Sequence, residues 1–388
     1  MTRALIIEDE DDKFDDVRRI LEEYYDSANL EIRRASTRNE ALRDIYNWPA
    51  SVIVVDLNVP GVSDSLPTDE TDTLLDALIT SEDNARASVI VLSGYPEIFE
   101  LNRDRLVSAG MATVEYVSGS RVWESAVKAI LKRTDEKISF PFIIITALAK
   151  ERDAFRHSDA EIGDLAVLNG LDCQYISVRG VRGVCIKLPR MGLVDSAVVT
   201  ATAISTFAPA CVAMGGICGG VEEEAALGTL VVADPVWEYQ SGKWSNDDFK
   251  LDMYQENMRP NYTQEIKTLA ADLKKNGKLK EGFFDSVVKE AGIKFAPMAT
   301  GSAVIANKAR LEEINGQHRK LAAIDMEMYG VYRAAALSRL NPFVFGAKTV
   351  VDTADSRKGD QYHEAGSVVS ARFCVAAIDR LIDVGLFR

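Results

Sequence analysis

Cysteine is sparse and unpatterned. Cys173, Cys185, Cys211, Cys218 and Cys374 form no CxxC motif and no Cys/His ligand spacing, which argues against a disulfide framework or a zinc site and leaves buried thiols. Long apolar runs are missing too: nothing approaches the roughly 18 residues of a membrane span, and the opening MTRALIIEDEDD has no signal-peptide core. A reduced cytoplasm with no membrane partner is the expected setting. Positive charge is scarce, the chain carrying a net −14, and residues 1–140 hold 16 basic against 28 acidic side chains, which leaves 29 and 31 beyond. No basic stripe with interleaved aromatics occurs. Nucleic acid is therefore excluded as an expected partner, because an acidic surface repels phosphates. The near-neutral remainder can still accept an anionic small molecule. Repeats and low-complexity tracts are absent as well. What is present is 47% hydrophobic content over 388 residues, enough for the packed cores of two or three domains.

Short apolar runs alternate with amphipathic helical patterns from the start. Ala4 to Ile7, Ser51 to Val55 and Ser88 to Leu92 read as buried strands, and a last strand near Ala112 to Val117 precedes a helix from Val122 to about Lys132. Continuous Val/Ile runs between helices predict a parallel sheet covered on both faces, with chemistry outside the carboxyl ends of the strands. Glu8, Asp9, Asp56 and Ser93 fall at those ends. Residues 1–133 resemble the receiver domain of bacterial response regulators, a flavodoxin-like fold. The resemblance implies Mg2+ held by Glu8, Asp9 and Asp56, Asp56 as phosphoacceptor, Ser93 as hydroxyl switch, and a sensor histidine kinase or phosphotransfer protein as partner. One departure stands out. The family's lysine, expected near residues 118–120, is missing from Val117-Ser-Gly-Ser120, and Arg121 is the nearest cation. Residues Val62 to Thr73 read as a solvated loop.

Polar residues 134–140 read as a linker, and residues 141–388 as one larger mixed α/β domain. Its expected elements are a strand at Phe142 to Ile145, a strand and hairpin around Gln174 to Leu188, and a helix from Asp195 to Thr206. Towards the end come a strand near Lys294 to Met298, a helix from Met326 to Leu340, a strand at Phe343 to Val351 and a helix from Ser367 to Leu386. Three segments carry acids: Phe142-Ile-Ile-Ile-Thr-Ala-Leu-Ala-Lys-Glu151, Ile324-Asp-Met-Glu327 and Val350-Val-Asp-Thr-Ala-Asp355. Each acid alone is compatible with a solvated helix or strand end; their joint order carries the signal. With Met214-Gly-Gly-Ile-Cys-Gly-Gly220, these segments resemble the nucleoside phosphorylase and nucleosidase family, most of all its hydrolytic methylthioadenosine and S-adenosylhomocysteine nucleosidases.

Splitting an N-glycosidic bond calls for a protonated leaving base, an activated water and tolerance of an oxocarbenium-like transition state, which carboxylates of differently tuned pKa can supply. The resemblance implies that Glu151 activates water, Asp352 protonates purine N7, Glu327 bridges the ribose hydroxyls and Met326 packs under the sugar. It also places Val304 and Ile305 at the base and Gly219 and Gly220 in a close-approach turn. Ile217 stands where related enzymes carry serine. An apolar side chain there cannot donate to phosphate, which favours water as nucleophile. Arg179, Arg182, Lys187 and Arg190 form a basic cluster that could neutralise a nucleotide's phosphates. The expectation is a signal-gated purine N-ribohydrolase acting on an adenine nucleoside or nucleotide, ATP included, as a homodimer. The order of domains also resembles nucleosidase effectors of bacterial two-component defence systems. A phosphate-dependent phosphorylase and a non-catalytic nucleoside-sensing module are the rival readings.

Overall fold

The computed structural model describes all residues except 1, 26–29, 82–83, 85–86, 136–137, 222–223, 246–247, 253, 284, 304, 306, 353–359 and 388. Two compact units divide the chain, Met1–Ile138 and Ser139–Arg388.

The first unit runs β1 (Thr2–Ile7), α1 (Asp11–Tyr24), β2 (Leu30–Ala35), α2 (Arg38–Asn47), β3 (Val52–Val55), β4 (Asn58–Pro60), β5 (Pro67–Asp69), α3 (Thr71–Thr80), β6 (Ser88–Ser93), α4 (Pro96–Ser108), β7 (Ala112–Glu115) and α5 (Arg121–Asp135). Five of its strands form a sheet in the order β2-β1-β3-β6-β7, every pairing parallel. Side chains alternate between its faces, as the pleat requires. Ala4, Ile6, Val54 and Ile90 pack with Val17 and Leu21 of α1 and Trp123 and Val127 of α5. Leu5, Ile7, Ile53 and Val91 pack with Ile45 of α2 and Leu74 and Leu78 of α3. Both faces are thus covered, which is why the strands read as unbroken apolar runs. The register aligns Ile7 with Val55 and Val55 with Val91, so residues following these strands share one end of the sheet. The expected loop at 62–73 is partly ordered instead: β4 and β5 pair antiparallel and α3 opens at Thr71. A three-residue pairing of this kind has too little alternation to show in the sequence.

The second unit comprises β8 (Phe142–Thr146), α6 (Ala149–Asp153), β9 (Glu161–Leu168), β10 (Leu171–Val178), β11 (Val181–Lys187), α7 (Leu193–Phe207), β12 (Cys211–Gly220), β13 (Leu230–Glu238), β14 (Gly242–Ser245), β15 (Asp248–Leu251), β16 (Gln255–Glu256), α8 (Pro260–Asn276), α9 (Ser286–Glu290), β17 (Ile293–Thr300), α10 (Lys308–Asn315), β18 (Ala323–Asp325), α11 (Met328–Leu337), β19 (Phe343–Asp352) and α12 (His363–Asp383). Among the described residues its main sheet has ten strands in the order β16-β13-β17-β18-β12-β8-β11-β10-β9, with β19 joining β12 and β13. The strand β9, half-exposed along its length, extends the expected hairpin to a three-stranded meander. At the centre β12 lies parallel to β8 and β19 and antiparallel to β18. Gly219 is opposite Ile324 on one side and Asp352 on the other. Pairing alone therefore gathers three segments remote in the chain at one end of the sheet. Apolar side chains of α7, α11 and α12 close the core over this sheet. No described helix is long and apolar enough to cross a membrane, and all five cysteines are buried free thiols.

Candidate active site

A cavity of about 430 Å3 opens where β8, β12, β18 and β19 end. Glu151, Asp325, Glu327 and Asp352 line it together with Met191, Ile217, Gly219, Ile305, Met326 and His363. Glu151 sits in the first turn of α6, just past the end of β8. Its Oε2 accepts from the backbone N–H groups of Ala147 and Leu148 at 2.8 and 2.9 Å, and its Oε1 from that of Ile217 at 2.9 Å. Three backbone donors, two just past β8 and one within β12, thus fix a carboxylate that is 2% exposed. Close approach is what requires glycine at 216: an added Cβ would lie 2.3 Å from Glu151 Oε1. Burial pushes the Glu151 pKa above the ordinary carboxylate range, with Glu327 adding to the rise and Lys348 opposing it. A carboxyl raised in this way is a stronger base than an exposed one, as proton transfer from water requires.

Behind it lies a buried ionic network. Lys348, in the middle of β19 and 1% exposed, pairs with Asp325 at 2.7 Å and Glu327 at 2.8 Å. Burial alone would lower its pKa, but Asp325, Glu327 and Glu151 hold it above the usual lysine value, which keeps it cationic at neutral pH. Asp325 ties the turn into α11 by accepting from Glu327 and Met328 N–H at 3.2 and 2.9 Å and from the Thr300 hydroxyl at 2.7 Å. Glu327 Oε1 accepts from Gly192 N–H, the residue that opens α7, at 3.0 Å. One glutamate is therefore oriented by β19, β18 and α7 together. Cys218 also lines the cavity, but burial raises its thiol pKa well above normal, leaving it protonated and a poor nucleophile.

The structure brings Glu151, Glu327, Asp352, Met326, Ile305 and Gly219 to one cavity. Gly220 packs behind it, its added Cβ falling 2.5 Å from Val350 and 2.6 Å from the Ala225 carbonyl. Val304 lies outside the described residues. Residues of the basic cluster have separate partners. Arg179 pairs with Asp379 and Asp383 beside a separate cavity, Arg190 is exposed and pairs with Asp195 at 3.4 Å, and Lys187 pairs with Asp172. None of the three is among the residues lining the carboxylate cavity: Arg179 and Lys187 belong to the turn and second strand of the β10–β11 hairpin, and Arg190 follows it, next to the cavity residue Met191. At the cavity, Lys150 contacts His363 Nδ1 instead. Sequence reading missed Lys348; a single charge inside the apolar run Phe343 to Val351 was the signal.

In the N-terminal unit, Glu8 and Asp56 lie buried at the strand ends with Ser93, whose hydroxyl donates to Asp56 Oδ1 at 3.1 Å. Asp9 beside them is half-buried. Burial pushes Glu8 up to about 7 against the pull of Lys13. Lys13 itself, from the first turn of α1, is buried among them; its ammonium pairs with Glu8 at 2.6 Å and with Asp56. A Mg2+ ion demands carboxylate oxygens at about 2.0–2.1 Å in near-octahedral array. Of the residues that the receiver resemblance assigns to it, Glu8 and Asp56 are paired with Lys13, and the set does not fit the ion while that side chain is in place.

A carboxylate-lined cavity at the carboxyl end of a mixed sheet defines a small-molecule site of the α/β type. The family described as Phosphorylase superfamily matches residues 141–382, and the chain belongs to it. Its N-terminal unit lies outside that match. An uncharacterised protein of Sinorhizobium fredii, y4jS, is 29% identical over 248 residues, 58% of this chain and 60% of that protein. The ATP nucleosidase Cap17 of Escherichia coli is 26% identical over 255 residues, 59% of this chain and 49% of that protein. The chain thus spans only about half to three-fifths of the length of these relatives. Futalosine hydrolase of Helicobacter pylori shares the fold at TM-score 0.52 and 17% identity, covering 62% of this chain and 97% of its own. The methylthioadenosine/S-adenosylhomocysteine nucleosidase of the same organism does so at 0.52 and 17%, covering 63% and 100%.

Proposed function

We propose that the second unit hydrolyses the N-glycosidic bond of an adenine nucleoside or nucleotide, releasing adenine and the sugar moiety. The observation that carries this reading is the convergence of Glu151, Glu327 and Asp352 on one cavity. Glu151 serves as the base for water: its oxygens are oriented by three backbone donors, and its raised pKa leaves it basic enough to accept a proton. Asp352, beside Gly219 at the end of β19, delivers a proton to purine N7, making the base a better leaving group. Glu327 accepts from the ribose hydroxyls, and its orientation by Lys348 and Gly192 keeps the sugar over Met326. Positive charge building on the ribose then meets a ring of acids. Ile217 supports water over phosphate as nucleophile, since it offers Glu151 a backbone N–H but no hydroxyl to an anion.

The kinship with an ATP nucleosidase supports a nucleotide among the substrates. We assign the N-terminal unit the role of control module. Its parallel order is that of flavodoxin-type doubly wound sheets, and Asp56 with the Ser93 hydroxyl at the strand ends supports the receiver reading. A sensor kinase or phosphotransfer protein as partner, a homodimer as working form, a cytoplasmic setting and a place in antiphage defence belong to the same proposal. The experiment is chromatography of free bases after incubation with adenosine, methylthioadenosine, AMP and ATP, with and without inorganic phosphate. Adenine released independently of phosphate is expected. Strict phosphate dependence assigns phosphorolysis instead, and no release from any substrate leaves a nucleoside-sensing module.

A further inference from the structure

We infer that Lys13 is the resident counter-ion of the N-terminal acid pocket, standing where a divalent cation would stand, so that the pocket is charge-compensated without metal. Three observations converge on it. The lysine side chain is only 4% exposed, whereas a lysine that merely meets a surface acid keeps its ammonium in water; burial at this depth persists only with charge partners. Its position is built from three elements: Glu8 after β1, Asp56 after β3, and the ring of Tyr116 after β7, whose centroid is 5.4 Å from Nζ. Finally, the carboxylate oxygens around it are already engaged. Lys13 takes Glu8 Oε2 and Asp56 Oδ2, Glu10 N–H donates to Glu8 Oε1 at 3.0 Å, and Asn58 N–H and the Ser93 hydroxyl donate to Asp56 Oδ1 at 2.9 and 3.1 Å.

The pocket's buried cation thus comes from the first turn of α1, while the segment after β7, Val117 to Ser120, supplies none. A metal ion entering at Glu8 Oε2 and Asp56 Oδ2 competes with Lys13 for them, because two cations held that close repel each other. Asp56 Oδ2 is likewise a weaker nucleophile while the pair stands, so control through this unit acts first on the Lys13 pair. The inference concerns the N-terminal unit alone and stands or falls independently of the hydrolase reading.

The test is titration of the full chain with Mn2+, followed by electron paramagnetic resonance, for the native sequence, Asp56→Asn, Lys13→Ala and the Lys13→Ala/Asp56→Asn pair. Comparison with Asp56→Asn separates this pocket from acids elsewhere. The native and Asp56→Asn titrations should superimpose. Lys13→Ala should gain a site about 100-fold tighter, in line with the strength of a buried ion pair, and the double variant should lose it. An Mn2+ site in the native chain that Asp56→Asn removes would overturn the inference. So would failure of Lys13→Ala to gain one. Should Lys13→Ala not fold, Lys13→Gln takes its place, and the native comparison with Asp56→Asn needs neither.

Discussion

Replacing Lys348 by methionine removes a charge while nearly keeping the volume, and its cost follows from the network. The ammonium is 1% exposed and serves Asp325 and Glu327 at 2.7 and 2.8 Å, both themselves buried. Breaking a buried pair from one side leaves uncompensated carboxylates and costs about 3–5 kcal/mol. A unit of this size loses roughly 2–4 °C of melting temperature per kcal/mol, so a fall on the order of 10 °C is expected for the unfolding transition of the second unit. Hydrogen exchange across β18 and β19 should locate the loss. The pH dependence adds a signed check. Lys348 contributes stability below the pKa of a free lysine, a contribution lost only as pH rises through its raised folded value. Between pH 5 and 8 its own titration therefore does not contribute. In the variant the stranded carboxylates can regain neutrality by protonation, so the gap to the native chain should narrow as pH falls. Glu151, already raised by burial against the pull of Lys348, should rise further. A destabilisation below about 1 kcal/mol, the range of exposed pairs, or a gap that widens towards acid pH, refutes the network.

Other expectations test the cavity directly. Glu151→Gln and Asp352→Asn should each abolish base release while leaving the unfolding transition of the second unit in place; turnover retained by Asp352→Asn contradicts the assigned proton donor. In the native chain, activity should rise with pH through the elevated pKa of Glu151, because the base must be ionised, and this acid limb should lie above that of an exposed glutamate in a pH–rate profile. Gly216→Ala places a methyl group 2.3 Å from Glu151 Oε1, so the carboxylate must move off its backbone donors; at least about a 100-fold loss in kcat follows from the sensitivity of catalysis to such displacement. Activity near native in that variant would show that Glu151 does not work from this position.

Much of the architecture was legible in local pattern. The runs at Ala4–Ile7, Ser51–Val55 and Phe142–Ile145 announce buried strands because apolar residues on both faces leave no alternation, and each begins or ends within two residues of its observed counterpart. Half-exposed β9 and the short β4 and β5 lacked that signal. The same division holds at the site. Glu151, Glu327 and Asp352 stand out through their neighbours in the chain, whereas Lys13 sits in a helix pattern where a lysine ordinarily reads as solvated. Arg179 and Arg190 are close in sequence but sit in different turns, before and after β11, and pair with different acids.

Sequence alone determined two things: the alternating strands and helices of both units, and the three acidic segments expected to meet. Both are encoded within windows of a few residues, where apolar periodicity and strand-end position act. Only the tertiary structure decided which cations the buried acids of each unit would have. Lys13 and Lys348 reach their partners across 43 and 21 residues of chain, through strand registers and helix packing, and the cost of burying an unpaired charge is a property of the finished core, not of any segment read by itself.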